Sequence, residues 1–487
     1  MVIGIVFFVY LALMVFIGFL FYNKTSNMSD FILGGRKLGT WLTAMSAQAS
    51  DMSGWLLIGL PGTAYMVYTG TSEAIWTVIG LILGTYLNWL FVAKRLRLYT
   101  EKSGNSLTLS DYFENRFRDH SHFLRVSSAI FILIFFLVYT ASGFSAGAKL
   151  FSTVFDVNYT VGLVIGALII LAYTTLGGFL AVCWTDTIQG LIMFFALMVV
   201  PIVALSEIGW TSGLTERLAA ITPETLGFFP MDGNDINALL LASALGWGLG
   251  YFGQPHILTR FMAIDSPENI QKARIIAMVW VCVTLTAATM IGVIGRAYMP
   301  NLADPETIYM NMIDRMFPDI IAGILLTAIL AAIMSTASSQ LLVTASAVSQ
   351  DLYATLFKKK KNDISLVWVS RFIVIVVSGI AIFIAMDPNS SVFGLVSNAW
   401  SGFGATFGPL ILFSLFWRRM TRAGAIAGML SGGVTVLFWL SQEGGIFDIY
   451  EIIPGFLISS LLIVVVSFMT KVPKEITNEF DAVKNMK

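Results

Sequence analysis

The sequence predicts an all-α polytopic membrane protein. Of its 487 residues, 57% are hydrophobic and only 12% are charged, whereas about a quarter of the residues in a soluble domain are charged. Mean hydropathy is +0.80. Apolar stretches of about 18 residues or more recur along the chain, and each is long enough to cross a hydrocarbon core of ~30 Å as a helix. We therefore expect one transmembrane domain over residues 1–487.

Thirteen of these stretches are expected to span the membrane, and the first of them, which has no small-residue cleavage site, reads as a retained helix. The polar loops hold at most about thirty residues, too few for a kinase, nucleotide-binding or nucleic-acid-binding module. The predicted spans lie at 2–22, 40–67, 71–93, 125–150, 158–178, 187–207, 237–257, 273–297, 319–349, 366–386, 391–417, 423–441 and 451–470.

The basic residues predict the orientation. With the N-terminus outside and the C-terminus inside, the 29 lysines and arginines fall on the cytoplasmic side with four exceptions, Lys149, Arg217, Arg296 and Arg315. This asymmetry is the one that the positive-inside rule describes. Termini on opposite sides also require an odd number of spans. A formal net charge of zero gives no indication of a nucleic-acid partner.

The residue types that carry enzyme chemistry are sparse. The two cysteines, Cys183 and Cys282, lie far apart without metal-ligand spacing. The three histidines form no cluster in the sequence, and His256 follows Pro255 in a segment that we expect to break a helix. Because no nucleophile–base or metal–water constellation is visible, an enzyme is not expected.

The second and seventh spans are interrupted by glycine and proline. The second contains the segment 50–62 and the seventh the segment 246–255. A pair of interrupted spans at corresponding positions indicates a transporter built from inverted repeats, which binds substrate and ions at the breaks. The two spans are five apart, so the two halves would have opposite orientations. Glycines that only permit close helix packing are the alternative.

Asp51 places a carboxylate inside the first break. A charged residue at the centre of a bilayer costs roughly 2.5–3.5 kcal/mol on insertion scales, so Asp51 is expected to be functional. An interrupted helix also exposes N–H groups beside carbonyl groups, which form adjacent anion and cation sites. A zwitterionic amino acid and a sodium ion match that pair of charges.

Hydroxyl and aromatic side chains supply further candidates. Ser335 and Thr336 in the ninth span offer the oxygen ligands that hard cations prefer, although such residues also serve close helix packing. Trp247 and Tyr251 are four apart, hence on one helix face, and Tyr139 lies in the middle of the fourth span. These three aromatic residues are expected to face a substrate, with core packing as the alternative.

Two charged residues lie near predicted span ends. Asp186 precedes the sixth span, and Gln189 follows three residues later, which favours a helix N-cap; a role in ion exit is the alternative. Arg36 precedes the second span. Either a membrane anchor or an inner-gate ion pair would account for it.

Seven motifs, in order, resemble the sodium:solute symporter family over residues 5–470. They are DFILGGR at 30–36, SDMSGWLL at 50–57, LSDYF at 109–113, GGFLAV at 177–182, GWGLGYFGQPH at 246–256, MST at 334–336 and YEIIPGF at 450–456. The resemblance implies a LeuT-like fold with a 5+5 inverted-repeat core. The first repeat would cover about 40–207 and the second about 237–417, with extra helices at 2–22, 423–441 and 451–470.

The same resemblance implies import of L-proline across the bacterial plasma membrane, coupled to Na⁺, with no organic cofactor and with membrane lipid as the surroundings. Asp51 would be required for sodium dependence, either as a ligand or through the neighbouring backbone. The implied sodium ligands are Ala49, Met52, Ala332, Ser335 and Thr336. The implied substrate-binding residues are Ser53, Gly54, Trp55, Tyr139, Trp247, Tyr251 and Pro255, and the gating or ion-exit residues are Arg36 and Asp186.

The alternatives are another small solute of the same family, such as a sugar, sialic acid or pantothenate, and a channel or membrane sensor with the same fold. Two departures from the family pattern stand out. Gln48 occupies a position where related sequences have glycine, and Ser339 one where they usually have cysteine. Neither residue is one of the implied ligands, so the departures bear on affinity or gate packing.

Overall fold

A computed structural model of the chain describes residues 1–22, 28–66, 70–174, 178–221, 227–232, 235–357 and 363–486. The described part is helical apart from one antiparallel hairpin, in which Met231 pairs with Ile236. Its strands are β1 (Met231–Asp232) and β2 (Asp235–Ile236). The first helices are α1 (Val2–Tyr22), α2 (Met28–Leu33), α3 (Thr40–Asp51), α4 (Leu60–Tyr65), α5 (Gly70–Leu87), α6 (Ala93–Lys102), α7 (Leu109–Phe117), α8 (Phe123–Phe155), α9 (Tyr159–Thr174), α10 (Phe179–Ile208) and α11 (Trp210–Ile221).

The remaining helices follow the hairpin. They are α12 (Ala238–Gly246), α13 (Pro255–Ala263), α14 (Ile270–Tyr298), α15 (Ile308–Met316), α16 (Asp319–Ser346), α17 (Ala354–Phe357), α18 (Asp363–Ile384), α19 (Val392–Phe416), α20 (Arg422–Trp439), α21 (Ile452–Met469) and α22 (Lys474–Lys484). Three π-helical turns, at Trp55–Gly59, Asn88–Val92 and Ala347–Tyr353, and several 3₁₀ turns join some of these helices end to end.

The predicted spans coincide with these helices. Within the described residues, nine helical stretches are long and apolar enough to cross a membrane, and three shorter apolar helices lie at Tyr159–Leu171, Ala238–Gly253 and Trp368–Ile384. The remaining predicted span, 40–67, corresponds to the interrupted pair α3 and α4. The count of thirteen spans, the orientation and the repeat boundaries stay predictions.

The core of the bundle lies along α16 and α19. In an apolar stretch of 18 residues in each of these two helices, 83% of the residues are buried inside the protein. In the corresponding stretch of α1 only 22% are buried. Helix α16 packs against α1, α3, α8 and α10. Its middle consists of Ala, Ser and Thr residues, which let neighbouring backbones approach closely. A helix enclosed on all sides is a rigid support for residues that face it.

Both predicted helix breaks are present. Helix α3 ends at Asp51, the next residue, Met52, leaves the helical conformation (φ −79°, ψ 78°), and helical structure resumes at Trp55. The second break is longer: α12 passes into a 3₁₀ stretch at Trp247–Gly253, Gln254 is extended, and Pro255 opens α13. Proline suits a first helical position because its missing N–H would have no partner there.

The N-cap prediction for Asp186 is wrong. Helix α10 begins at Phe179 with Gly178 at the N-cap position, so Asp186 lies two turns inside the helix. The sequence pattern suggested a later start because polar residues crowd the region 184–189. The helix nevertheless runs through this region. The Asp186 carboxylate is accommodated inside it because it pairs with Arg260, as described below.

Candidate functional site

The carboxylate of Asp51 joins the two breaks. Its side chain is fully buried, and Oδ2 accepts a hydrogen bond of 2.8 Å from the hydroxyl of Tyr251 in the second break. Its Oδ1 has no hydrogen-bond partner among the described residues. The backbone carbonyl of Asp51 accepts bonds of 3.2 Å from Trp55 Nε1 and from the Tyr139 hydroxyl. Asp51 therefore faces the protein interior, with one carboxyl oxygen unpaired among the described residues.

Four of the five predicted sodium ligands meet at Ala49, two residues before Asp51. The carbonyl oxygen of Ala49 accepts from Ser335 Oγ at 2.7 Å and lies 3.4 Å from Thr336 Oγ1. The same Ser335 oxygen lies 3.1 Å from the carbonyl of Ala332. Met52 follows directly after α3 and is fully buried, and its N–H donates to Gln48. A convergence of neutral carbonyl and hydroxyl oxygens fits a hard monovalent cation.

Three side chains bond the backbone of the second break, two from other elements and one from Gln254 in the break itself. Trp400 Nε1 donates to the carbonyl of Trp247 at 2.8 Å, and Asn88 Nδ2 donates to that of Tyr251 at 2.9 Å. Gln254 Nε2 lies 3.2 Å from the carbonyls of both Gly250 and Trp400. Sequence reasoning missed Asn88, Gln254 and Trp400. Asn88 and Gln254 carried a signal, because a polar side chain deep in an apolar span needs a partner.

Aromatic rings cluster at the two breaks. The ring of Trp247 has its centroid 6.4 Å from that of Trp55 and 4.8 Å from that of Phe393. Tyr251 makes an edge contact with Trp400 at 4.9 Å. We call Trp55, Tyr139, Trp247, Tyr251 and Trp400 the aromatic cage. Four of its five members were predicted as substrate-binding residues.

The other three predicted substrate residues are placed differently. Ser53 lies in the break itself, and its N–H donates to the Asp51 carbonyl at 2.9 Å. A Cβ atom on Gly54 would lie 2.6 Å from that of Ala146, so glycine is needed there for the close approach to α8. Pro255 lines a small cavity together with residues of α2, α7 and α16. Ser53 is thus nearest to Asp51, whereas Gly54 and Pro255 shape the surroundings.

A fully buried ion pair lies below the first break, towards the predicted cytoplasmic side. Arg260 Nη2 is 3.2 Å from Asp186 Oδ2, and both side chains are completely inaccessible to solvent. Ser46 Oγ donates to the same carboxylate oxygen at 2.7 Å, and Arg260 also bonds Ser339 at 2.5 Å. This network connects α3, α10, α13 and α16. Sequence reasoning used Arg260 only for orientation and did not predict its partner.

Arg36 connects segments at the same end of the bundle. Its guanidinium donates to the Met262 carbonyl at 2.6 Å, to the Ser106 carbonyl at 2.8 Å, and to the side chains of Thr100 and Asn105. Partial burial lowers the pKa of Arg36 to about 10, which still leaves it protonated at neutral pH. Arg36 thus bonds the last turn of α13 once and the segment 100–106 three times, each time at a neutral oxygen. Its role in gating stays a prediction.

A second charged network lies near the C-terminal end of α8, around Lys149. Lys149 Nζ contacts Glu306 Oε2 at 2.7 Å and Asp304 Oδ2 at 2.9 Å. Glu306 also accepts backbone N–H bonds of 3.1 Å from Val392 and Phe393 at the start of α19. A carboxylate at a helix N-terminus is electrostatically favourable. Because the ring of Phe393 contacts that of Trp247, this network is linked directly to the aromatic cage.

An all-α membrane fold in which two interrupted helices meet at a buried carboxylate defines a secondary transporter of the LeuT-like class. Comparison of the sequence with known protein families identifies the family within this class. The sequence pattern of the sodium:solute symporter family matches residues 31–432. The chain belongs to the sodium:solute symporter family, so it is a transporter rather than an enzyme.

Two relatives and two solved structures illustrate the likeness. The sodium/proline symporter of Salmonella typhimurium is 49% identical over 477 residues, which are 96% of this chain and 93% of that protein. The high-affinity proline transporter PutP of Bacillus subtilis is 48% identical over 474 residues, covering 96% and 98%. A substrate-bound, outward-open sodium-coupled sialic acid symporter has a TM-score of 0.81 at 21% identity, covering 97% and 98%. A nucleobase-cation-symport-1 family transporter has a TM-score of 0.56 at 12% identity, covering 94% and 99%. These structures confirm the predicted fold.

Proposed function

We propose that the chain imports L-proline together with sodium across the bacterial plasma membrane by alternating access. Relatives that are 46–49% identical over nearly the whole chain are described as proline transporters. The sialic acid symporter shares the fold at 21% identity, which says nothing about the solute carried here. Proline is therefore favoured over the sugar, sialic acid and pantothenate alternatives.

One observation supports the proposed coupling: the last turn of α3 contacts both the proposed sodium ligands on α16 and the aromatic cage. Ala49 contacts the hydroxyls of α16, and two residues later Asp51 contacts Tyr251 in the aromatic cage. Sodium bound by Ala49, Met52, Ala332, Ser335 and Thr336 would fix the end of α3. The break beside it would then be ordered before the solute arrives, so sodium raises the affinity for proline, and by linkage proline raises the affinity for sodium.

The proposed site suits a small zwitterion. The carboxylate of proline would meet the Ser53 hydroxyl and backbone amides of the half-helix after the first break, and its ring would pack on Trp247 and the tyrosines of the cage. Oδ1 of Asp51, which has no hydrogen-bond partner among the described residues, would supply the negative charge that balances the sodium ion or the imino group. Each charge of the solute thus has an opposite charge or dipole nearby.

The driving force is sufficient for accumulation. Because proline is neutral overall, one sodium ion per cycle carries one net charge, which is worth about 2.3 kcal/mol per 100 mV. At roughly 1.4 kcal/mol per factor of ten, the membrane potential alone supports about fifty-fold accumulation before a sodium gradient is added.

The first test is uptake of labelled proline into proteoliposomes with either a sodium gradient or potassium only. We expect uptake only with sodium. Asp51→Asn keeps the shape of the side chain but removes its charge, and we expect it to abolish sodium stimulation. Equal uptake in potassium would contradict sodium coupling, and an Asp51→Asn variant with normal sodium dependence would contradict the role of Asp51.

A pair of serine variants tests the sodium site. Ser335 Oγ donates to Ala49 on α3, whereas Ser338 Oγ, among the described residues, bonds only the carbonyl of Ser335 in its own helix. We expect Ser335→Ala to raise the sodium concentration for half-maximal uptake by at least tenfold, and the matched control Ser338→Ala to change it less than twofold. Equal effects of both variants would argue against this site.

A further inference from the structure

The final motif of the sequence, YEIIPGF at 450–456, has no part in the proposed sodium or substrate sites. It forms the start of α21, which lies outside the predicted ten-helix core. Nevertheless, the ring of Tyr450 stacks on that of Trp247, with a centroid distance of 5.4 Å and an interplanar angle of 27°. Both side chains are buried, at 8% and 5% exposure. A helix outside the repeat therefore reaches the aromatic cage.

Tyr450 is itself held from both sides. Its hydroxyl donates to the Ser397 carbonyl of α19 at 2.9 Å, and its backbone N–H donates to Ser243 Oγ of α12 at 2.9 Å. The next residue, Glu451, accepts a bond of 2.7 Å from Ser401. The position of the Tyr450 ring is thus fixed by α12, which leads into the second break, and by α19, which packs against that break.

The start of α21 also fits closely onto glycines near that break. A Cβ atom on Gly404 would lie 2.5 Å from Ile452 Cδ1, and one on Gly246 would lie 3.0 Å from Ile453 Cγ1. Gly246 is the last residue of α12, directly before Trp247. The contact with α21 therefore supports the chain at the point where Trp247 leaves the regular helix.

We propose that Tyr450 is a positioning residue for the aromatic cage, which fixes the plane of Trp247 and thereby sets selectivity for the ring of the transported solute. Trp247 lies in a 3₁₀ stretch, so its orientation depends on neighbouring side chains more than that of a residue within a regular helix. Tyr450 covers one face of this ring. The inference rests on the proposed function, in which the solute ring packs against Trp247.

The test compares Tyr450→Ala and Tyr450→Phe with the parent in proteoliposomes. The readouts are KM and maximal rate for labelled proline, half-saturating sodium at saturating proline, and competition by the four- and six-membered ring homologues of proline. We expect Tyr450→Ala to raise KM about two- to tenfold, the range of one aromatic pair, and to reduce discrimination between ring sizes. Half-saturating sodium should stay within twofold. Tyr450→Phe keeps the stacked ring and should retain the discrimination.

Phe456→Ala is the matched control. Phe456 lies on the same helix and packs where a Cβ atom on Gly408 would be, but it makes no ring contact with Trp247 among the described residues. It should lower the amount of inserted protein without changing KM or ring-size discrimination. An unchanged KM and discrimination in Tyr450→Ala, or the same loss of discrimination in Phe456→Ala, would overturn the inference. Failure of the parent to take up proline with sodium would instead refute the proposed function.

Discussion

The two helix breaks differ in what satisfies their backbone and in the charge that they carry. The first break is short, and the carbonyl of Asp51 accepts its bonds from Trp55, four residues later, and from Tyr139 on α8. It holds a carboxylate oxygen without a hydrogen bond. The second break is longer and neutral, and three of its carbonyls are bonded by Asn88, Gln254 and Trp400. Among the described residues, the first break thus holds a carboxyl oxygen without a hydrogen bond, whereas side chains bond the backbone carbonyls of the second break.

This difference assigns the two breaks separate tasks. Helix α3 ends at the first break, so the negative end of its dipole and the Asp51 carboxylate point to the same place. A bound cation supplies the positive charge that this place needs. The second break has no such electrostatic deficit, and its neutral braces keep Trp247 and Tyr251 in place. Sodium is therefore expected to order the first break. The solute is expected to be recognised mainly by residues of the second break.

The largest expected effect concerns the ion pair that anchors α13, the half-helix after the second break. Arg260→Ala leaves the Asp186 carboxylate buried without its partner, which costs about 3–5 kcal/mol. We expect much less folded transporter after detergent extraction, measured by size-exclusion chromatography, and no sodium-dependent uptake.

The double variant Arg260→Met with Asp186→Leu is the control for this effect. It removes both charges while filling similar volume, so the amount of folded protein should recover. An Arg260→Ala variant that folds as well as the parent would show that Asp186 is neutral or compensated elsewhere.

A smaller effect is expected from Gln254→Leu, which removes the amide that braces the second break. The carbonyls of Gly250 and Trp400 each lose a side-chain donor, and a buried hydrogen bond contributes about 0.5–1.5 kcal/mol. We expect KM for proline to rise about tenfold or more and half-saturating sodium to change less than twofold. Gln442→Leu is the matched control, because within the described part of the chain Gln442 Nε2 bonds only the neighbouring Ser441. A larger change in sodium than in proline affinity would contradict the division of tasks between the breaks.

The sequence was sufficient to predict what depends on local pattern. Apolar length predicted the spans, glycine and proline predicted both breaks, and a carboxylate in an apolar span predicted that Asp51 faces inward. The start of α10 was missed because the partner of Asp186 is 74 residues away along the chain. A polar residue inside a helix looks like a helix end until the charge that neutralises it is known.

Distance along the chain also explains why the sequence did not predict the side chains that bond the second break or the contact made by the motif at 450–456. Asn88 lies 163 residues from Tyr251, and Trp400 lies 153 residues from Trp247. Such pairs depend on how the helices are rotated and shifted against one another. Hydropathy fixes which segments enter the membrane but not which of their faces meet.

The smallest expected effect concerns Gln48, the departure from the family pattern near the first break. Gln48 is buried, and its Oε1 has no hydrogen-bond partner among the described residues. Gln48→Met keeps most of the volume but removes the unsatisfied polar group, so the purified transporter should melt at a slightly higher temperature, with a gain of about 1 kcal/mol. Half-saturating sodium should change less than twofold. Gln48→Glu, which buries a further negative charge beside Asp51, should instead lower the melting temperature. A clear rise in half-saturating sodium for Gln48→Met would mean that this amide contributes to the ion site, and the first break would then be more complete than the comparison with the second suggests.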